Sequence, residues 1–316
     1  MAQNSLIFTA VIPIFLIMLL GYAARRKHLL TEAAESSLMR IITQLLYPCL
    51  IISFVVGNPS LQQLNGVLMP PLIGFSTTVI GYASCLWAFR FVCSGDKKQS
   101  RTFAFCTGLP NYGYFPIPIV AQLFDRETMG ILLVHNIGVE VALWSVGVGY
   151  MMLSGSAKGL YLRIFNPPIV ALIVGVLINF SGFASRVPAP CIETFELLGQ
   201  CAIPLGLLLI GASFYTLIKT DGLQTNWRIP LLAVVLRTAL LPLFFMAFMY
   251  LNTLPQTLNQ VLIVQAAMPC AVFPIVLTRL YQGATAIACT VVMSTTLMGF
   301  VSIPFWIHFG LLMCKK

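Results

Sequence analysis

Apolar stretches of about 20 residues recur along the whole chain, each closed by a short polar or charged group. They run roughly over 6–24, 33–56, 66–92, 102–122, 128–152, 166–183, 193–217, 229–251, 258–278 and 285–311. That length suits a helix crossing the hydrocarbon core of a bilayer. The runs are apolar throughout and do not alternate, so helices are selected over the strands of a barrel. The pattern predicts an all-α membrane protein with ten transmembrane helices. The connections are short, and none can bury a core of its own.

Composition agrees with the pattern. Hydrophobic residues are 59% of the 316 positions and charged residues 9%, too little polar surface to cover a water-soluble globule. The first run is followed, not preceded, by Arg25, Arg26, Lys27 and His28, so it reads as a retained span and not a cleaved signal. The net charge of +9 would suit nucleic acid, but its Lys and Arg residues lie mostly in loops between spans. There they set orientation. Arg25, Arg26, Lys27, Arg90, Lys97, Lys98, Arg101, Lys158, Arg163, Lys219, Arg228 and Arg279 fall on one side of the ten-span layout. Arg126, Arg186, Lys315 and Lys316 fall on the other. The first group is expected in the cytoplasm, which puts both termini outside a multi-pass protein of the cell (inner) membrane, with no nucleic-acid partner. The nine cysteines are scattered without metal-ligand spacing. They read as small buried residues, and no metal or other cofactor is expected.

Prolines recur at corresponding places in the two halves. Pro13-Ile14 corresponds to Pro168-Ile169, Pro48 to Pro204, Pro71-Leu72 to Pro230-Leu231, and Phe115-Pro116-Ile117 to Phe273-Pro274-Ile275. The separation is roughly 155–159 positions, about half the chain. Five spans per half is an odd number, so the second copy enters the membrane upside down. The expected division is a first five-helix repeat at 1–153, a short cytoplasmic connection at 154–165 and a second, inverted repeat at 166–316. This is a secondary-transporter arrangement.

The fourth and ninth spans are poor continuous helices. One carries Gly108, Pro110, Asn111, Gly113, Pro116 and Pro118; the other carries Pro269 and Pro274. Each proline removes a backbone donor and crowds the preceding turn. Open backbone at membrane depth is tolerated only beside protein or a wet cavity, so matched breaks point to a site where they cross. Freed N–H groups and half-helix N-termini there favour a carboxylate. Pro110, Asn111 and Tyr112 at the first break, and Gln265, Pro269 and Cys270 at the second, are the candidate substrate-binding residues. The Asn111 amide can donate to a carboxylate oxygen, or cap the broken helix. Gln265 serves equally as glue between helices.

Ionisable residues inside the spans are His135, Glu140 and Arg237. Their burial is costly, which makes each a functional candidate. Glu140 lies five residues after His135, about 140° around a helix, so the two do not share a tight face. Either is a candidate for carrying a proton coupled to transport. Arg237 fits a tether to carbonyls or to an acid better than a substrate counter-ion.

Leu109-Pro110-Asn111 with Ile117-Pro118, and Gln265-Ala-Ala-Met-Pro269 through Pro274 to Tyr281, resemble the auxin efflux carrier family of the bile/arsenite/riboflavin transporter-like superfamily. Further matches are Pro13, Tyr22 and its basic cluster, Pro48, Asn58-Pro59, Trp144, Asn166-Pro167, Ile203-Pro204 and Gly211-Ala212. The resemblance implies a ten-helix carrier with a scaffold and a transport domain, moving elevator-fashion around crossing helices 4 and 9. Its substrates would be small organic anions, either an auxin-like monocarboxylate or a dicarboxylate such as malate or malonate. It assigns Asn111 to the substrate carboxylate and Tyr47 to the pocket lining, and a homodimer would fit it. The short link between the halves resembles compact prokaryotic members. Glu140 and His135 stand where plant members resemble one another in having glutamines, so proton coupling or a different substrate is implied. Two other classes share parts of the pattern: a sodium-coupled organic anion symporter of the bile-acid type, and a receptor or channel that kept the fold. The sodium reading needs oxygen ligands around the crossover, and acids other than Glu140 are few. No H-E-x-x-H or G-x-S-x-G motif of an enzyme is present.

Overall fold

The structure, a computed structural model, describes residues 2–93, 96–149, 165–220, 223 and 226–314, the first four as backbone only. The connection expected at 154–165 lies outside the described residues apart from Phe165, as do Lys158, Arg163, Lys315 and Lys316. Among the described residues the elements are helical: α1 (Ala2–Arg26), α2 (Glu32–Val55), α3 (Leu64–Val92), α4 (Lys97–Gly108), α5 (Pro116–Leu123), α6 (Arg126–Val148), α7 (Pro167–Phe180), α8 (Ala189–Thr220), α9 (Arg228–Leu251), α10 (Gln256–Ala267), α11 (Phe273–Leu280) and α12 (Thr285–Met313). Seven of them, α1, α2, α3, α6, α8, α9 and α12, are long and apolar enough to cross a membrane, and α7 is a shorter apolar helix.

Local chemistry sets the helix starts. Thr31, Asp96, Asp125 and Asn166 accept from the backbone N–H three residues on, capping α2, α4, α6 and α7. Of three wide π segments among the described residues, Ile42–Leu46 in α2 and Leu236–Leu240 in α9 each end just before an X-Pro pair, Tyr47-Pro48 and Leu241-Pro242, whereas Leu143–Val148 in α6 is followed by no proline. Proline cannot donate to the helical ladder and its ring crowds the turn before it. Widening that turn relieves the clash without ending the helix.

Hydrophobicity is distributed for lipid. Leu19, Leu20, Leu72, Leu251 and Leu297 are exposed, whereas Asn111, His135, Asn136, Arg237 and Gln265 are buried. Helix pairs cannot gain from hiding Leu in such a solvent, so close packing must hold them. Glycines supply it reciprocally. A Cβ on Gly21 of α1 would stand 1.9 Å from the Leu208 carbonyl oxygen of α8, and one on Gly211 of α8 equally close, 1.9 Å, to that of Met18. The same exchange joins α3 to α6, where Gly138 faces the Pro71 oxygen at 1.8 Å and Gly74 the His135 oxygen at 2.4 Å.

Packing sorts the helices into two groups. In the first, α8 lies along α1 and α2, and α7 lies on α2. In the second, α3 packs on α4 and α6, α12 packs on α4, α9 and α10, and α10 also meets α6. Aromatic side chains and one glycine are among the contacts between the groups. Phe15 of α1 stands edge-on to Phe115 and Phe300, with ring centroids 5.7 and 5.3 Å away. Tyr114, just before α5, fits the notch at Gly206 of α8 and points its hydroxyl at the Met39 sulfur of α2, 3.9 Å away.

Basic residues gather at one end of the bundle. Arg25 donates to Thr216, Arg279 to Thr220, and the Ala284 N–H to Thr102. The opposite end is tied by Asn58 to the carbonyls of Arg126 and Glu127, and by the Arg126–Glu196 ion pair at 3.2 Å.

Candidate functional site at the crossed breaks

Two interruptions, between α4 and α5 and between α10 and α11, meet in the second group of helices. Each has lost a proline N–H, yet the remaining backbone groups satisfy one another. Asn111 N–H donates to the Pro269 carbonyl at 2.8 Å, and Ala271 N–H donates to the Leu109 carbonyl at 3.1 Å. Pro110 and Cys270 thereby form an isolated antiparallel bridge. Buried backbone demands such pairing. The N-termini of α5 and α11 both begin at these breaks, with Pro116 and Pro274 in their first turns, where a missing N–H costs nothing. Two positive helix ends thus begin a few residues after the crossing.

Polar side chains surround the crossing. Asn111 is buried, and Gln265 donates through Nε2 to the Asn136 amide oxygen at 2.7 Å and to the Tyr112 carbonyl at 3.3 Å. The Tyr47 hydroxyl of α2 lies beside Asn136 and would be 3.2 Å from a Cβ on Gly113. Glu140 accepts from the side-chain amide of Asn166, the cap of α7, and Trp144 also faces its carboxylate. Glu140 therefore spans the boundary between the two helix groups. Tyr47, Tyr112, Gln265 and Glu140 form one neighbourhood around Asn136.

Cys270 and Pro269 are placed differently. The Cys270 thiol turns to the Thr107 carbonyl at 3.8 Å and its N–H to the Thr295 hydroxyl at 3.3 Å, while Pro269 packs near Gly299. Their side chains build the crossing. His135 lies on another side of α6 from Glu140, in a cavity of about 20 Å³ with Thr77, Thr78, Pro110, Arg237 and Gln265. Among the described residues neither ring nitrogen makes a hydrogen bond of good geometry, and the Asn136 side chain lies beside the ring. Arg237 reaches this cavity from α9 and donates to the carbonyls of Met268 and Gln265.

Sequence reasoning passed over Asn136 and Tyr114. An amide in an apolar run was the signal for Asn136, masked by its neighbour His135. Nothing local marks Tyr114, whose notch is supplied by Gly206, more than ninety positions away in the chain.

The chain matches the family model described as membrane transport protein over residues 6–163 and again over 151–307. An uncharacterized transporter of Methanothermobacter thermautotrophicus is 23% identical over 298 residues, covering 94% of this chain and 96% of that one. An uncharacterized transporter of Methanocaldococcus jannaschii is 22% identical over 301 residues, with the same coverage of 94% and 96%. Two family matches, one in each half of an apolar chain whose described elements are helical, make this protein a member of the membrane transport protein family, the auxin efflux carriers.

Proposed function

We propose that the protein is a carrier, not an enzyme, that moves small organic anions by elevator-type alternating access. The observation that carries this is the crossing itself: two broken helices joined back to back by Asn111–Pro269 and Ala271–Leu109, with two half-helix N-termini beside buried amides and tyrosines. Such a place accepts a carboxylate without a cationic side chain. The candidate binding set is Asn111 with Pro110 and Tyr112, Tyr47, Gln265, Pro269, Cys270, His135 and Glu140.

In this reading the two interruptions each count as one broken span, and α7 as a short one, so the seven long helices become ten spans. Packing supports inverted halves: α3 on α6 corresponds to α9 on α12, and α1 on α8 corresponds to α7 on α2. The group α1, α2, α7 and α8 is the scaffold, and the remainder moves against it. The basic end faces the cytoplasm, with both termini outside. The chemistry fits a mono- or dicarboxylate of the size of malonate, malate or indole-3-acetate, with Glu140 as the proton-coupling candidate.

The test is uptake of each labelled anion into proteoliposomes, with and without imposed proton and sodium gradients. Saturable uptake of a carboxylate, competed by unlabelled anion, is the expected result. Linear, unsaturable flux would point to a channel and end the carrier reading.

A further inference from the structure

The ends of α4 and α10 meet at the crossing, but they are neutralised differently. At the end of α4, the Thr107 carbonyl faces the uncharged Cys270 thiol. At the end of α10, the Met268 carbonyl accepts from Arg237 Nε at 2.9 Å and the Gln265 carbonyl lies 3.5 Å from Nη2. The Pro71/Pro230 correspondence places Thr78 opposite Arg237, and Thr78 lines the same cavity. A charge has therefore been added to one half only.

Arg237 is 1% exposed. It leaves α9 from the π segment Leu236–Leu240, which is pinned where Trp306 donates to the Thr238 carbonyl at 2.7 Å. The groups facing it are Thr77, Thr78 and Cys85 of α3, His135 of α6, Cys270 beyond the break, and the α10 carbonyls. No acid lines that cavity among the described residues. The guanidinium stays charged, so carbonyl dipoles and the negative end of α10 are its counter-charge.

In broken transporter helices, carbonyls at half-helix C-terminal ends are where a coupling cation binds. We propose that the Arg237 guanidinium occupies that place permanently as a tethered cation at the C-terminal end of α10, so that the carrier works without Na+. A second monovalent cation about 4 Å from the guanidinium would be weakened roughly a thousandfold. This inference rests on the carrier reading, but its test requires no substrate.

The test follows thermal unfolding of the detergent-purified full chain in NaCl, LiCl, KCl or choline chloride at constant ionic strength, and again with low millimolar guanidinium chloride. Wild type should unfold at the same temperature in all four salts. Arg237→Ala should unfold earlier, and guanidinium should restore it selectively, leaving wild type and Arg237→Lys unmoved. A Na+-specific stabilisation of wild type, or saturable ²²Na+ binding to it, would overturn the proposal, whether or not the Ala variant folds. So would a folded Arg237→Ala protein indifferent to guanidinium. Failure of the carrier reading would show separately, as absent anion uptake by a wild type whose unfolding is still salt-indifferent.

Discussion

Asn111 and Pro269 share a hydrogen bond of 2.8 Å across the two breaks, and the reciprocal bond from Ala271 to Leu109 closes the pair. Each break supplies what the other lacks. The bridge itself is therefore made by backbone groups, and the Asn111 side chain takes no part in it.

Asn111→Ala should accordingly spare the fold and damage transport. A hydrogen bond to a charged group contributes about 1.5–3 kcal/mol, so KM for the transported carboxylate should rise about tenfold to a hundredfold. Proteoliposome uptake, with detergent stability as the control, checks this. Wild-type KM in the variant would remove Asn111 from the site.

Glu140 and Asn166 hold the two helix groups together. Glu140→Gln keeps a partner for Asn166 and removes the ionisable proton. If Glu140 must be protonated for an anion to pass, wild-type uptake should increase as the pH falls and the Gln variant should show a flat profile. An unchanged profile in the variant would assign the coupling elsewhere or nowhere.

The notch at Gly206 fits the Tyr114 ring, and a Cβ there would lie 1.9 Å from the ring edge. Gly206→Ala should cost about 1–3 kcal/mol through overpacking. Gly206→Ala combined with Tyr114→Ala should cost clearly less than the sum of the single changes, by about 1 kcal/mol or more. Unfolding midpoints of the four proteins give the coupling; strict additivity would mean that the ring leaves the notch readily.

Gly138→Ala should separate α3 from α6, because the added carbon would stand 1.8 Å from a backbone oxygen that cannot rotate away. Loss of monodisperse folded protein on size exclusion is expected. No described residue lies within 4 Å of a Cβ placed on Gly149, so Gly149→Ala should be neutral or stabilise by up to about 1 kcal/mol.

Much of the architecture was legible because lipid is a demanding solvent. Apolar length located the long helices, and the two helices interrupted by Pro110 and Pro269 were visible as matched proline clusters. The tether from Arg237 to carbonyls was also legible, since a buried guanidinium must find acceptors. Asn136 was not, because an amide's partner lies on other helices and no local pattern names it.

The order of apolar runs, the charged ends and the positions where helices break are thus properties of the chain itself, since hydrogen bonding within each segment and its transfer to lipid are local. The tertiary structure alone decided which broken end received Arg237 and which a thiol, that Glu140 reaches Asn166 across the boundary between helix groups, and that Tyr114 meets Gly206. Those are contacts between segments far apart in the chain, selected by shape and by the pairing of buried polar groups, and neither periodicity nor composition encodes them.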